Sequence, residues 1–231
     1  MKTRLLPLVG VLLALLSATA CGGDGGSRSK EEKPADVLAQ AKQQFDEARS
    51  VHLTLSTDSK PTEGDAVLGA DGTLTQQPAF EGSVKVLLSG FTADVPVTSV
   101  DGKVYAKLPL TPSYTRINPA DYSAPDPADF VDPDAGVSAL LTKLQDVGKG
   151  EPSRDGNRIL TTYTGTLAGK LVKPIIPSAS AGDTYATEVG IDQDGYIRTI
   201  EVTGEFFSGG GDETYQLNLD EYGEAVTVTR P

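Results

Sequence analysis

The chain has 231 residues, 38% of them hydrophobic and 23% charged, with 25 Gly, 15 Pro and no Trp, which is about one domain's worth of core broken often by turns. Lys and Arg number 20 against 32 Asp and Glu, a net charge of −12 that excludes nucleic acid as a partner and means that work at an anionic membrane needs a tether rather than a basic patch. A single Cys, Cys21, and a single His, His52, exclude an intramolecular disulfide, a Cys-rich zinc centre and a metal site built on two histidines.

Lys2 and Arg4 precede an apolar run over residues 5–16 that is too short to span a bilayer, and Ser17-Ala18-Thr19-Ala20 then offers small residues for cleavage before Cys21. The arrangement resembles a bacterial lipobox, in which the Cys sulfur receives a diacylglycerol before the signal is cut and the new amino terminus is acylated as well. Residues 1–20 therefore read as a lipoprotein signal peptide, with Cys21 as the lipidation site that holds the chain on the extracytoplasmic side of the plasma membrane. The alternative is an ordinary secretory signal followed by a spare Cys. Residues 21–33, rich in Gly, Ser and charge, read as a flexible tether, and residues 34–231 as the body.

Within the body Pro34 suits a first helical turn, and Val37, Leu38, Ala41, Phe45 and Ala48 recur at helical spacing, which predicts an amphipathic helix over residues 35–49. From Val51 the period becomes two. Val51, Leu53 and Leu55 alternate with His52, Thr54 and Ser56, a strand with one polar face on which His52 is a surface or sheet-edge side chain. Strands over 65–76, 80–89, 91–99 and 103–108 follow, separated by Gln77-Pro78, Ser89-Gly90 and the hairpin signal Asp101-Gly102. One face carries Gly82, Val84, Val86 and Leu88 on the third strand, Ala93, Val95 and Val97 on the fourth, and Val104, Ala106 and Leu108 on the fifth. Small and β-branched side chains of this kind suit a broad curved sheet that leaves space on one side.

Residues 109–133 hold six prolines and many acids and read as a loop with at most a turn of helix. Asp132 and Pro133 then have the character of a cap and first helical position, opening a helix with an apolar stripe of Val137, Leu140, Leu141, Leu144 and Val147. Residues 158–167 return to strand, and residues 168–177, broken by Pro174 and Pro177, read as a short helix or hinged flap. Strands over 185–192, 196–207, 213–220 and 225–229 complete the chain, with turns at Asp194-Gly195 and Gly209-Gly210-Gly211.

Motifs for chemistry are lacking. The chain has no nucleophile elbow, no phosphate-cradling loop and no dinucleotide fingerprint, and a Ser-His-Asp set would have to use His52. Asp192-Gln193-Asp194-Gly195 imitates the start of a calcium loop without its later ligands and is explained by a hairpin turn; the Asp-rich run 121–134 reads as a solvated loop with a helix cap. No catalytic residue, metal site or cofactor is assigned. The apolar helix faces and the concave sheet face either close on one another as a solid core or enclose a cavity, and pattern alone leaves both open.

Gly82-Ser83-Val84-Lys85-Val86, Val100-Asp101-Gly102-Lys103-Val104-Tyr105-Ala106, Asp132-Pro133-Asp134-Ala135-Gly136-Val137 and Tyr222-Gly223-Glu224-Ala225-Val226-Thr227-Val228 occur in this order behind the lipobox. Taken together they resemble the LppX/LprAFG family of mycobacterial and related actinobacterial lipoproteins, with two departures: Tyr222 in place of that family's Trp, and a proline-rich stretch over residues 108–127, where the resemblance would put a cavity mouth, so that the ligand could differ. The resemblance implies an α+β fold, a curved antiparallel half-barrel of about ten strands with helices on its concave face, similar to the Lol carrier and receptor proteins. It further implies an apolar cavity for acyl chains of a lipid or glycolipid, transport from the plasma membrane toward the outer envelope, and a membrane exporter as partner.

On that reading the protein is not an enzyme. Val84, Val86, Val95, Val97, Val104 and Ala106 form the cavity floor, and Leu140, Leu144, Leu171, Ile175 and Ile176 its movable side. The rivals are an envelope adaptor without a cavity, serving a transporter or a cell-envelope enzyme, and a small hydrolase that depends on His52.

Overall fold

The computed structural model describes residues 32–61, 64–209 and 211–231, so that the signal segment and Cys21 lie outside it. Pro34 opens α1 (Pro34–Glu47), whose Leu38, Ala41 and Phe45 are buried, and the backbone turns extended at Ala48 to enter the sheet. The strands are β1 (Ser50–Thr57), β2 (Ala66–Thr75), β3 (Ala79–Leu88), β4 (Phe91–Val100), β5 (Lys103–Ala106), β6 (Thr115–Ile117), β7 (Gln145–Lys149), β8 (Ser153–Asp155), β9 (Arg158–Ala168), β10 (Thr184–Ile191), β11 (Ile197–Gly204) and β12 (Glu213–Asp220). They form one open, curved sheet in the order β6-β5-β4-β3-β2-β1-β12-β11-β10-β9-β7, with β8 paired to β9. Every pairing is antiparallel, and two meanders meet where the first strand pairs with the last, His52 standing opposite Asp220.

Parity places the side chains. Leu53 and Leu55 on β1 and Leu217 and Leu219 on β12 enter a single apolar core on the concave face, where α1, α2 (Val137–Leu141) and α3 (Gly169–Val172) also bury their apolar residues. Gly82 stands opposite Gly72 across the β2–β3 ladder, and a Cβ at Gly82 would lie 2.2 Å from the Asp71 carbonyl and 2.8 Å from the Phe80 ring. The bare pair is what lets the fully buried Phe80 ring lie over the sheet.

Several expected elements take another form. The helix expected from Pro133 through Val147 is confined to α2. Asp132 instead closes a turn, its carboxylate accepting from the Asp134 and Ala135 amides at 2.8 and 3.0 Å. Residues 145–149 become β7, with Asp146 at φ 52 and a register shift between Gln145 and Gly148. The apolar spacing of Leu144 and Val147 is helical, but the long β9 offers a free edge, and strand pairing with it prevails over extending a helix into Gly148 and Gly150.

Residues 225–229 form no strand. β12 ends at a turn with Glu221 at φ 47, the Gly223 amide donates to the Ser50 carbonyl at 2.9 Å, and an exposed tail follows. Both edges of β1 are already taken by β2 and β12, so the tail finds no ladder to join there. The strand expected over 196–207 stops at Gly204, and the described residues form twelve strands where about ten were expected, the additions being the short β6, β7 and β8.

Candidate functional site

The concave surface of β2 to β6 is apolar and shallow because its facing side chains are small. Val84 stands opposite both Ala70 and Val95, and Val97 opposite Ala106. Together with Val86, Val104, Leu88 and Leu108 they wall an apolar cleft. Its roof is the proline-rich segment between β6 and α2, which contributes Pro119, Tyr122, Ala124, Pro125, Pro127 and Phe130.

This roof is made of two 3-10 turns, Pro119–Tyr122 and Pro127–Val131, each with proline presetting its first position. Ser123 in the left-handed region ends the first, and the Asp126 carboxylate accepts from the Ala128 amide at 3.0 Å to start the second. Phe130 and Val131 are buried, whereas Tyr122, Ala124 and Pro125 are only half-buried, so the roof is anchored at one end and loosely seated at the other.

The cleft has a cavity volume of about 70 Å³, within about 700 Å³ of unfilled space that includes its open mouth. A second apolar space of about 20 Å³ lies beneath α2 and α3 against β1, β11 and β12. Leu55 and Ile175 border both, and are thus the partition between them. Sites that enclose small ligands usually hold about 300–1,000 Å³. The cleft is smaller than that, and a ligand of such size would need roof or partition to move. A wider groove of about 860 Å³ at the other end, between the turns at Gln76-Gln77 and Asp101-Gly102 and the C-terminal tail, is open and mixed in polarity.

The expected floor residues Val84, Val86, Val95, Val97, Val104 and Ala106 all line the cleft, as does Ile175 from the expected movable side. Leu140 and Ile176 line the smaller space instead, and Leu144 and Leu171 line neither; both pack half-buried against the core, Leu144 against Gly165. Val172, Ile175 and Ile176 in the 168–177 segment are at most 5% exposed, so the more exposed cover over the cleft is the proline-rich roof. From its residues alone this segment reads as a solvated loop, and only the family resemblance sets residues 108–127 near a cavity mouth. The available signal was Phe130-Val131 between two Asp caps, an apolar pair with no reason to sit in solvent.

Tyr215, which lines the smaller space, ties the sheet together, its hydroxyl donating to the Val67 carbonyl at 2.8 Å across β1. Burial, offset in part by the Ser178 hydroxyl and reinforced by the charge of Glu213, pushes its phenol up to about 12. Burial also raises Tyr222, whose hydroxyl donates to the Ile197 carbonyl at 2.7 Å. An unfolded tyrosine ionises near pH 10, so the native state holds these protons longer than the unfolded state. The corresponding stability is full below about pH 10 and is lost as pH rises through about 12. Melting temperature is expected to fall over that window, and Tyr215→Phe to flatten the fall.

His52 lies on the outer face of a central strand, not at a sheet edge, between Asp220 at 3.1 Å and Asp71 at 3.4 Å, and on the face opposite the cleft. In the calcium-like turn both Asp192 oxygens serve internal groups, the Asp194 and Tyr196 amides and Arg198. Among the described residues no helix is long and apolar enough to cross a membrane.

The model of the LppX_LprAFG lipoprotein family matches residues 33–228. The chain belongs to this family. The lipoarabinomannan carrier protein LprG of Mycobacterium tuberculosis is 27% identical over 234 residues, covering 99% of this chain and 95% of that protein. Lipoprotein LprA of the same species is 25% identical over 233 residues, covering 96% and 94%. Crystal structures of LprF from Mycobacterium bovis, with a TM-score of 0.72 and 17% identity over 86% of this chain and 96% of LprF, and of M. tuberculosis LppX, with 0.61 and 19% over 84% and 97%, share the fold. The family's open half-barrel is thus the architecture that holds the cleft.

Proposed function

We propose that this family member is a non-enzymatic, membrane-anchored carrier that takes the acyl chains of a lipid or glycolipid into the β2–β6 cleft and conveys them from the plasma membrane toward the outer envelope. A membrane exporter is its expected partner. The observation that carries the reading is a cleft walled by small apolar side chains and covered by a roof of two short 3-10 turns that is only half-buried at Tyr122, Ala124 and Pro125, in a family where LprG is named a carrier of lipoarabinomannan.

Each methylene moved from water into the cleft would contribute about 0.8 kcal/mol, which for whole chains exceeds what non-covalent affinities reach. The chains start in a bilayer, however, already in hydrocarbon, so the transfer is near neutral and reversible. That is the energetics of a carrier rather than of a store. Headgroup contacts at the mouth would then set specificity, and the distance that roof and partition move would set capacity.

Native mass spectrometry of the chain purified from its own host tests this directly: a bound acylated lipid is expected, and a lipid-free, monodisperse protein would favour an adaptor role. The anchor has its own test. Several acyl chains on Cys21 would hold an acidic body at the membrane where one chain binds only marginally. Cys21→Ala is expected to move the protein out of the washed membrane fraction, and retention there would remove the lipidation reading.

A further inference from the structure

Two of the most exposed large apolar side chains stand at one end of the sheet, beside the cleft. Phe91 is 79% exposed and Leu110 104%. The β3–β4 hairpin turns through Ser89 and Gly90, both at positive φ, and sets Phe91 directly opposite Leu88, so that the ring shares the cleft's face. β5 runs antiparallel to β4 toward that same end; beyond Ala106 the Lys107 amide still donates to the Pro96 carbonyl, and the chain then turns at Leu108 to Thr111 with Leu110 at φ 66. Tyr114, also exposed, leads back into β6. Leu88 and Leu108, the half-buried wall residues here, join these tips to the cleft.

A leucine held in the left-handed region and wholly exposed is unfavourable on both counts, and nothing in the core requires it. We infer that this end of the sheet is a membrane-docking edge, with Phe91 and Leu110 entering the bilayer surface and setting the mouth of the cleft against the lipid. The inference rests on the carrier reading only for its purpose. The tips are separate prongs on two turns rather than a continuous patch; a protein partner would need a pocket cut for each, whereas hydrocarbon accommodates both.

Charge agrees. In a chain of net −12, the exposed charges near this end are balanced, with Lys85 and Lys107 against Asp65 and Asp94. The tether does not choose a side: the stretch from Cys21 to Pro34 could reach roughly 45 Å fully extended, so orientation must come from the body's own surface.

The absence of Trp from the sequence makes a clean test. The unanchored chain of residues 22–231, which contains every described element and the whole core, would carry either Phe91→Trp or, in the exposed β2–β3 turn at the opposite end, Gln77→Trp. With phosphatidylcholine vesicles, the Phe91→Trp emission is expected to shift to the blue and to be quenched by bromine-labelled acyl chains, and the Gln77→Trp emission to stay unchanged. Equal responses, or none, overturn the inference.

In the parent chain, Phe91→Ser with Leu110→Ser is expected to weaken vesicle flotation about tenfold or more, since two large apolar side chains lose their burial. Loading of acyl chains from detergent micelles should persist. Flotation unaffected by the double substitution overturns docking, as does self-association without vesicles that the substitution abolishes, which would assign the edge to a second copy. Absence of loading in the parent while flotation remains sensitive supports docking and instead removes the carrier reading.

Discussion

Replacing Val84 with Trp is expected to abolish lipid loading while leaving the protein folded. Val84 is half-buried on the cleft wall, with Ala70 and Val95 opposite it on the neighbouring strands. The ring needs far more room than the isopropyl group it replaces, and the space before it is unfilled toward the mouth. It therefore occupies the volume an acyl chain would need, and what must give way to it is the loosely seated end of the roof at Tyr122, Ala124 and Pro125, not a packed strand. The melting temperature should stay within a few degrees of the parent, and lipid should disappear from the native mass spectrum.

Val189→Trp is the contrast. Val189 is 1% exposed, borders neither apolar space and stands opposite Ile200 and Tyr163 on the neighbouring strands, so the same ring there overpacks and is expected to cost about 1–3 kcal/mol or more. A Val84→Trp protein that unfolds as readily as Val189→Trp would mean that the cleft is ordinary core. One that keeps its full lipid load would place the acyl chain elsewhere.

Asp192→Ala is expected to be the most destabilising single change at a charged residue in the body, at about 3–5 kcal/mol. Asp192 and Arg198 form an ion pair at 2.6 Å with side chains only 7% and 11% exposed. The other Asp192 oxygen accepts from the Asp194 and Tyr196 amides, both at 3.0 Å, which shapes the β10–β11 turn. Arg198 lies 5.4 Å from the ring centroids of both Tyr196 and Tyr222, and Tyr222 packs edge-on against Phe45 of α1. Removing Asp192 leaves a guanidinium unpaired among aromatic rings and two turn amides without an acceptor. Pairing the change with Arg198→Met should restore much of the loss, because removing both charges avoids the buried orphan. Thermal or urea unfolding of the two variants checks this, and a double variant no more stable than Asp192→Ala would show that turn geometry, not the charge, carries the cost.

The same residues show what could be read from the chain alone. Asp192 to Gly195 is legible as a hairpin turn because a carboxylate bonding to amides two and four residues ahead is a local event. The strands β1 to β5 and β9 to β12 were legible because alternation is likewise local: where Val84, Val86, Val95, Val97, Val104 and Ala106 must share a face, parity places them there whatever the fold does elsewhere. The family was legible from short motifs in a fixed order, and the model match over residues 33–228 agrees with it.

What needed the tertiary structure depends on partners distant in sequence. Residues 145–149 carry a helical apolar spacing but become β7 because the edge of β9 is free to pair with them, whereas residues 225–229 look like a strand and form none because β1 is already flanked. Leu55, more than a hundred residues from Ile175, partitions two spaces with it only after the first and last strands have paired. The roof shows the division most plainly. Proline content predicts that residues 109–133 avoid regular structure, which is a local steric fact, but whether such a segment lies in solvent or over a sheet depends on whether an uncovered apolar surface stands within its reach, and only the assembled half-barrel supplies one.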